Sequence, residues 1–173
     1  MIIAGDGFLL RPFQITDKQA LAKHANNEKV SNNLRDRFPH PYTEADAEWF
    51  ISFVLQDNDP VKDFIVEVNG EAAGVISFWP GEDVYKQNAE IGYWLGEVHW
   101  GKGIMTAVIK TIVNYIFEKF EIKRIFAIPF ATSTGSVKAL EKAGFKREAV
   151  IHNGVIKKGN MLDYYIYSVN SFG

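Results

Sequence analysis

The chain contains no cysteine. Disulfides, thiolate metal ligands and a cysteine nucleophile are therefore excluded. It has little net charge, −2 with histidine neutral. No global positive field favours a nucleic-acid backbone, so no nucleic-acid partner is expected. No apolar run is long enough to cross a bilayer. Met1 to Gly7 lack a charged segment followed by a long apolar stretch, so neither a signal peptide nor a membrane partner is expected, and the cytoplasm is the expected compartment. The four histidines show no metal-ligand spacing, so no metal is expected. Repeats, low-complexity stretches and composition shifts are also missing, which leaves 1–173 as one expected domain.

What the chain does have is large buried-type side chains, with 13 Phe, 7 Tyr and 4 Trp. Phe8 to Phe13 reads as an opening strand. Thr16-Asp17 then caps a helix carrying Ala20, Leu21, His24 and Ala25 at helical spacing. Val30 to Tyr42 is irregular. Thr43 and Asp46 form a capping-box pattern ahead of a helix whose apolar stripe is Trp49, Phe50, Phe53 and Val54. Two strand-like runs, Asp63 to Val68 and Ala72 to Trp79, flank Asn69-Gly70, a dipeptide suited to the positive φ of a type I′ hairpin. Ala89 to Leu95 is a further strand, followed by a helix from Ile104 to Phe120 with Val108, Ile112 and Ile116 on one face. Lys123 to Phe130 predicts a strand, Gly135 to Ala143 a helix, and Phe145 to His152 with Val155 to Val169 a closing hairpin through Asn153-Gly154, with a break near Gly159. This order, an antiparallel front half joined to a strand–helix–strand unit, predicts an α/β (α+β) fold: a mixed, mostly antiparallel sheet with helices on both faces.

The segment with the most chemical content is the strand, Gly101-Lys102-Gly103 and long helix in succession. Glycines allow close backbone approach, and the free N–H groups opening a helix carry partial positive charge, so the loop suits a pyrophosphate. It also suits a simple tight turn. It is not a P-loop, because the Lys-Ser/Thr ending is missing, and it is not a dinucleotide fingerprint, because the third glycine is absent.

The run Ala89-Glu90-Ile91-Gly92-Tyr93-Trp94-Leu95, followed by Gly101-Lys102-Gly103-Ile104-Met105-Thr106, resembles the acetyl-CoA motif of GNAT acetyltransferases. The block Ser136 to Phe145, the opening Leu10-Arg11-Pro12 and the ending with Asn153-Gly154, Asp163 and Tyr167 are similar to the branch that contains the ribosomal-protein N-terminal acetyltransferases RimJ and RimL. The resemblance implies a GNAT fold with a central parallel, splayed strand pair. It implies acetyl-CoA as cofactor, with its pantetheine arm on backbone near Leu95 and Glu97 and its pyrophosphate on N–H groups of Gly101, Lys102, Gly103, Ile104, Met105 and Thr106. It also implies a bulge near Leu95 that frees an N–H to polarise the thioester carbonyl. Four positions depart from the general motif. Trp100 takes a Gln/Arg place, Met105 a Gly/Ala place, and Ser133 the place of an Asn that contacts the cofactor arm. Leu140 stands where many members carry a general-acid Tyr.

The implied reaction is direct attack of an amine on acetyl-CoA in a ternary complex. Glu90 is the candidate base or water-holder and Ser136 the candidate proton donor, each also readable as a structural residue. His40 and Tyr42, in the segment that forms the acceptor wall in this family, are candidate substrate contacts. An α-amine, with pKa about 8, is roughly a tenth neutral at pH 7, whereas a Lys amine near 10.4 is almost wholly charged. The expected acceptor is therefore a protein or peptide N-terminus. A small-molecule amine (amino acid, polyamine or drug) and a catalytically silent acyl-CoA-binding module are the alternatives. Aromatics near Phe172 or Trp79 suit either a homodimer contact or simple packing.

Overall fold

Tight turns set the strand pairing in the computed structural model, which describes residues 1–172. Gly7, Asn69-Gly70 and Lys158-Gly159 all have positive φ, which joins adjacent strands with the right-handed twist that hairpins need. The elements are β1 (Ile3–Gly5), β2 (Phe8–Arg11), α1 (Lys18–Ala25), α2 (Glu28–Ser31), α3 (Glu44–Gln56), β3 (Asp63–Val68), β4 (Glu71–Pro80), β5 (Asn88–Leu95), α4 (Ile104–Lys119), β6 (Arg124–Ala127), α5 (Thr134–Lys142), β7 (Lys146–Lys157) and β8 (Asn160–Asn170). The eight strands are hydrogen-bonded in the order β1-β2-β3-β4-β5-β6-β8-β7. The expected mixed, mostly antiparallel fold is thus observed.

The chain divides into two compact units, Met1–Ser77 with Tyr93–Ile104, and Phe78–Gly92 with Met105 onward. In the first unit, β2, β3 and β4 pair antiparallel, with Leu10 opposite Val66 and Val66 opposite Gly74. Phe13, Leu21, Ala25, Ile51, Val54 and Ile65 pack into its core, with Phe38 and Trp94 partly buried against them. Helix α3 starts as the sequence predicts: the Thr43 hydroxyl accepts from the Asp46 N–H while the Asp46 carboxylate accepts from the Thr43 N–H.

The predicted apolar stripe of α3 needs correction. Ala47, Ile51 and Val54 face the core and Phe50 is half-buried, whereas Trp49 and Phe53 lie in solvent. Ring size drew the expectation toward the aromatics, but the smaller residues, three and four apart, carry the inward face.

In the second unit, β5 and β6 form a parallel pair with Asn88 opposite Arg124, Ala89 opposite Ile125 and Glu90 opposite Phe126. Helix α4 buries Val108, Ile112 and Ile116, the face read from the sequence, together with Ile109, Val113 and Tyr115. Phe78, Tyr115 and Phe120 meet edge to face.

The closing hairpin also differs from expectation. Its turn is Lys158-Gly159, and β7 runs through Asn153-Gly154 with a register shift between Ile151 and Val155. Asn153 holds its positive φ because its N–H donates to the Asp163 carboxylate at 2.9 Å. Gly154 lies under the Tyr164 ring, whose nearest atom is 2.3 Å from where a Cβ would stand. Asn-Gly here makes a bulge rather than a turn. Strand β6 is shorter than predicted, ending at Ala127, because Pro129 follows and cannot donate to a ladder. Strand β1, pairing Ile3 with Leu10, was not predicted.

Candidate active site

After Leu95 the chain of the first unit leaves β5 and makes a short turn, Glu97–His99, before reaching the glycines. Three contacts fix that turn. The Gly96 N–H donates to the Ala73 carbonyl at 2.8 Å. The Trp100 indole Nε1 donates to the Leu95 carbonyl at 2.7 Å. The Glu97 carboxylate accepts from Asn27 Nδ2 at 2.7 Å and from Lys29 Nζ. The Lys29 and Asn27 bonds hold the Glu97 carboxyl below the ordinary carboxylate range.

Beneath the turn sit two imidazoles with ring centroids 5.5 Å apart, His24 on α1 and His99. A Cβ on Gly96 would stand 2.4 Å from His24 Nδ1, so glycine is required there for packing. His24 Nε2 is 3.3 Å from the Glu71 carboxylate, which also takes Lys23 at 2.7 Å. The Lys23 bond chiefly, with the His24 imidazole nearby, holds the Glu71 carboxyl down. Burial first, and then the charge of His24, lowers the pKa of His99. Nothing in the sequence marked this pair, because the two histidines are far apart in the chain and only the turn brings them together.

Gly101 and Gly103 both have left-handed φ, +71° and +77°, and no heavy atom lies within 4 Å of where a Cβ would stand at either. Helix α4 begins immediately afterwards at Ile104. Lys102 is exposed, and Ile104, Met105 and Thr106 are half-buried. Open backbone followed by unpaired N–H groups at the start of a long helix fits the pyrophosphate of coenzyme A. At Leu95 the carbonyl already takes the Trp100 indole, which explains how Trp serves in the place of the motif's Gln/Arg: it clamps the strand end to the loop. Replacing Trp100 by Phe removes that bond and keeps most of the bulk. We expect the KM for acetyl-CoA to rise about fivefold to tenfold, matching one hydrogen bond of about 1 kcal/mol, with the melting temperature nearly unchanged. An unaltered KM in steady-state kinetics refutes the clamp.

The other candidates stand as follows. His40 is exposed, whereas Tyr42 is 6% exposed with its ring 4.9 Å from Phe38. Burial pushes the Tyr42 hydroxyl up to about 12, so Tyr42 stays neutral and belongs to the packing behind that segment. In the second unit, Glu90 is half-buried on β5 beside Phe126 of β6. Ser133 is buried at the N-cap of α5 and its side chain makes no capping bond, while its N–H donates to the Phe130 carbonyl at 2.9 Å. Ser136 is half-buried on the first turn of α5. Leu140 is fully buried. The buried Tyr167 hydroxyl donates to the Glu141 carboxylate at 2.8 Å. Among the described residues no cluster of three or more metal-ligating side chains occurs, and no helix is long and apolar enough to cross a membrane.

Residues 8–146 match the acetyltransferase (GNAT) domain family. The uncharacterized N-acetyltransferase p20 of Bacillus licheniformis is 27% identical over 92% of this chain and 90% of its own. The probable N-acetyltransferase YjcK of Bacillus subtilis is 37% identical over 48% of this chain, a match spanning 46% of that protein. The ribosomal-protein-serine acetyltransferase of Escherichia coli is 35% identical over 41% of this chain and 39% of its own. Among solved structures, RimL in complex with coenzyme A superposes with a TM-score of 0.86 at 20% identity, covering 98% of both chains. The microcin C7 self-immunity acetyltransferase MccE, in complex with acetyl-CoA and AMP, gives 0.82 at 25% identity over 96% of this chain and 93% of its own. With the glycine loop, the parallel β5–β6 pair and this match in hand, the chain belongs to the GNAT family and is an acetyl-CoA-dependent N-acetyltransferase with RimJ/RimL-like relatives.

Proposed function

We propose that the acceptor is the α-amine of a protein or peptide N-terminus. The observation that carries this reading is Glu90: the one candidate base is a half-buried carboxylate on β5, and a weak or water-mediated base suits an amine that is already partly neutral at working pH. Leu140, wholly buried where many members of the family carry a general-acid Tyr, bears only on the leaving thiol, whose pKa of about 8.5 lets it depart with little help. Relatives named as ribosomal-protein acetyltransferases support the same class.

Bound acetyl-CoA supplies an acyl group already activated as a thioester. Gly101 to Thr106 bind its phosphates through backbone N–H groups. The end of β5, held by Trp100, orients its arm, and Ser133 offers a hydroxyl shorter than the amide usual at that place. Glu90 takes the proton of the incoming amine, directly or through water, and Ser136 is the hydroxyl nearest in role to the missing Tyr. His40 contacts the acceptor, with Tyr42 supporting it from the packed side.

The second reading is a small-molecule amine, in line with the similar MccE having been solved with a small molecule, AMP, beside acetyl-CoA. The deciding experiment is acetyl-CoA titration by thermal shift, followed by thiol release with pooled N-terminal peptides and pooled small amines. Turnover on the peptide pool is expected. Turnover on small amines alone overturns the α-amine reading, and a thermal shift without turnover on either pool favours a silent acyl-CoA-binding module.

A further inference from the structure

The outer face of α3 has no use in the site described above. Trp49 and Phe53 are 69% and 60% exposed, and their rings stack at 5.7 Å with planes 9° apart. They are four residues apart, so they form one ridge on the helix surface. An aromatic pair of this size left in water is unusual for a surface helix. The segment that carries it is acidic. From Thr43 to Asp59 the chain has five acidic residues (Glu44, Asp46, Glu48, Asp57 and Asp59) and no basic one. Lys18, from α1, bonds Glu48 at 2.9 Å, and Asp46 is engaged in the helix cap. Glu44, Asp57 and Asp59 are exposed.

We propose that this ridge is a docking surface for a Lys- or Arg-rich polypeptide segment, the body of the protein whose N-terminus is acetylated. The proposal rests on the reading of the acceptor as a protein. The charge selects the partner. Anionic lipid and nucleic acid are repelled by an acid-only segment, whereas basic side chains gain both ionic attraction and contact with aromatic faces, and their aliphatic stems cover the rings. Docking here concentrates the acceptor through contacts that take no part in the chemistry, so it lowers KM for a basic protein acceptor and does not touch KM for acetyl-CoA.

The test uses the full chain and a fluorescein-labelled amphipathic peptide of Lys, Leu and Ala, in free and N-acetylated forms, followed by fluorescence anisotropy. Both forms are expected to bind, because docking does not need the amine. Trp49→Ser with Phe53→Ser should weaken both at least about tenfold. Asp57→Asn with Asp59→Asn should flatten the salt dependence of binding. All four positions are exposed, so the variants should keep the parent melting temperature, which is checked in parallel. Equal binding by the aromatic double variant overturns the proposal. So does a chain that sediments as a dimer and becomes a monomer in that variant, since the ridge is then covered by a second copy. If the N-acetylated peptide binds through the ridge and no peptide is acetylated, docking stands and the α-amine reading fails.

Discussion

Gly103→Asn is expected to weaken acetyl-CoA binding about a hundredfold or more while lowering the melting temperature by only a few degrees. Two facts of the loop separate these effects. The backbone at Gly103 sits at φ +77°, and Asn tolerates this region better than other non-glycine residues, so the strain is at most about 1–2 kcal/mol. That corresponds to a shift of roughly 2–8 °C for a chain of this size. The space where the new side chain stands is open in the protein itself. Its only expected occupant is the cofactor's phosphate, and displacing it forfeits charge-assisted bonds worth about 1.5–3 kcal/mol each. Two such bonds amount to about a hundredfold or more. Gly159→Asn is the matched control, because Gly159 has φ +78° with equally open space but lies in the β7–β8 turn. It should show a similar small thermal loss and an unchanged Kd by calorimetry. If Gly103→Asn and Gly159→Asn bind acetyl-CoA alike, the loop is not the phosphate site.

These two glycines also show what the sequence can and cannot reveal. Gly101 and Gly103 were legible because a strand, a short glycine spacing and a long helix are consecutive in the chain, and their conformation is fixed locally. The α4 core face was legible for the same reason: its period is written in neighbouring residues. At Asn153-Gly154 the local signal was real but its use was not legible. The dipeptide adopts positive φ at Asn153 as expected, yet Asp163 and Tyr164 on the partner strand turn it into a bulge, and Lys158-Gly159 makes the turn. On α3, burial depends on which neighbour arrives. Phe13 packs edge to face on Phe50 at 5.7 Å, and nothing in the first unit's core takes Trp49 or Phe53. The histidine pair at the Glu97–His99 turn, and the Trp100 bond to Leu95, are products of three-dimensional closure. No spacing rule announces them.

Asp17→Ala is expected to cost about 3–5 kcal/mol of stability, the range for removing one partner of a buried ion pair. Arg11 is 9% exposed and Asp17 6%. The guanidinium donates to Asp17 through two nitrogens at 2.8 and 2.9 Å, to the Pro12 carbonyl at 3.1 Å, and through Nε to the Glu67 carboxylate. Asp17 also accepts the Gln14 N–H at 2.8 Å, which shapes the turn into α1. A guanidinium holds its proton at every usable pH even without a partner, and the Asp17 bond only raises the pKa of Arg11 further, so Arg11 cannot escape by losing its proton when Asp17 is removed. Glu67 alone is left to balance it, and the two nitrogens facing position 17 lose their acceptor. Urea unfolding should therefore show a lower midpoint with an unchanged slope. Asp17→Asn keeps one acceptor and the shape, so it should fall between Asp17→Ala and the parent. The combined Arg11→Met, Asp17→Leu variant removes the buried pair, leaves only the less buried Glu67 without its partner, and should recover part of the loss, because a buried pair scarcely outweighs the desolvation it required. The consequence reaches the Glu97–His99 turn, since Asp17 positions the start of α1, and α1 carries the His24 ring that packs under Gly96. Loosening that helix should raise KM for acetyl-CoA in Asp17→Ala below its melting temperature. The double replacement should restore stability and KM together if α1 is held by shape, and stability alone if the charges themselves set its position.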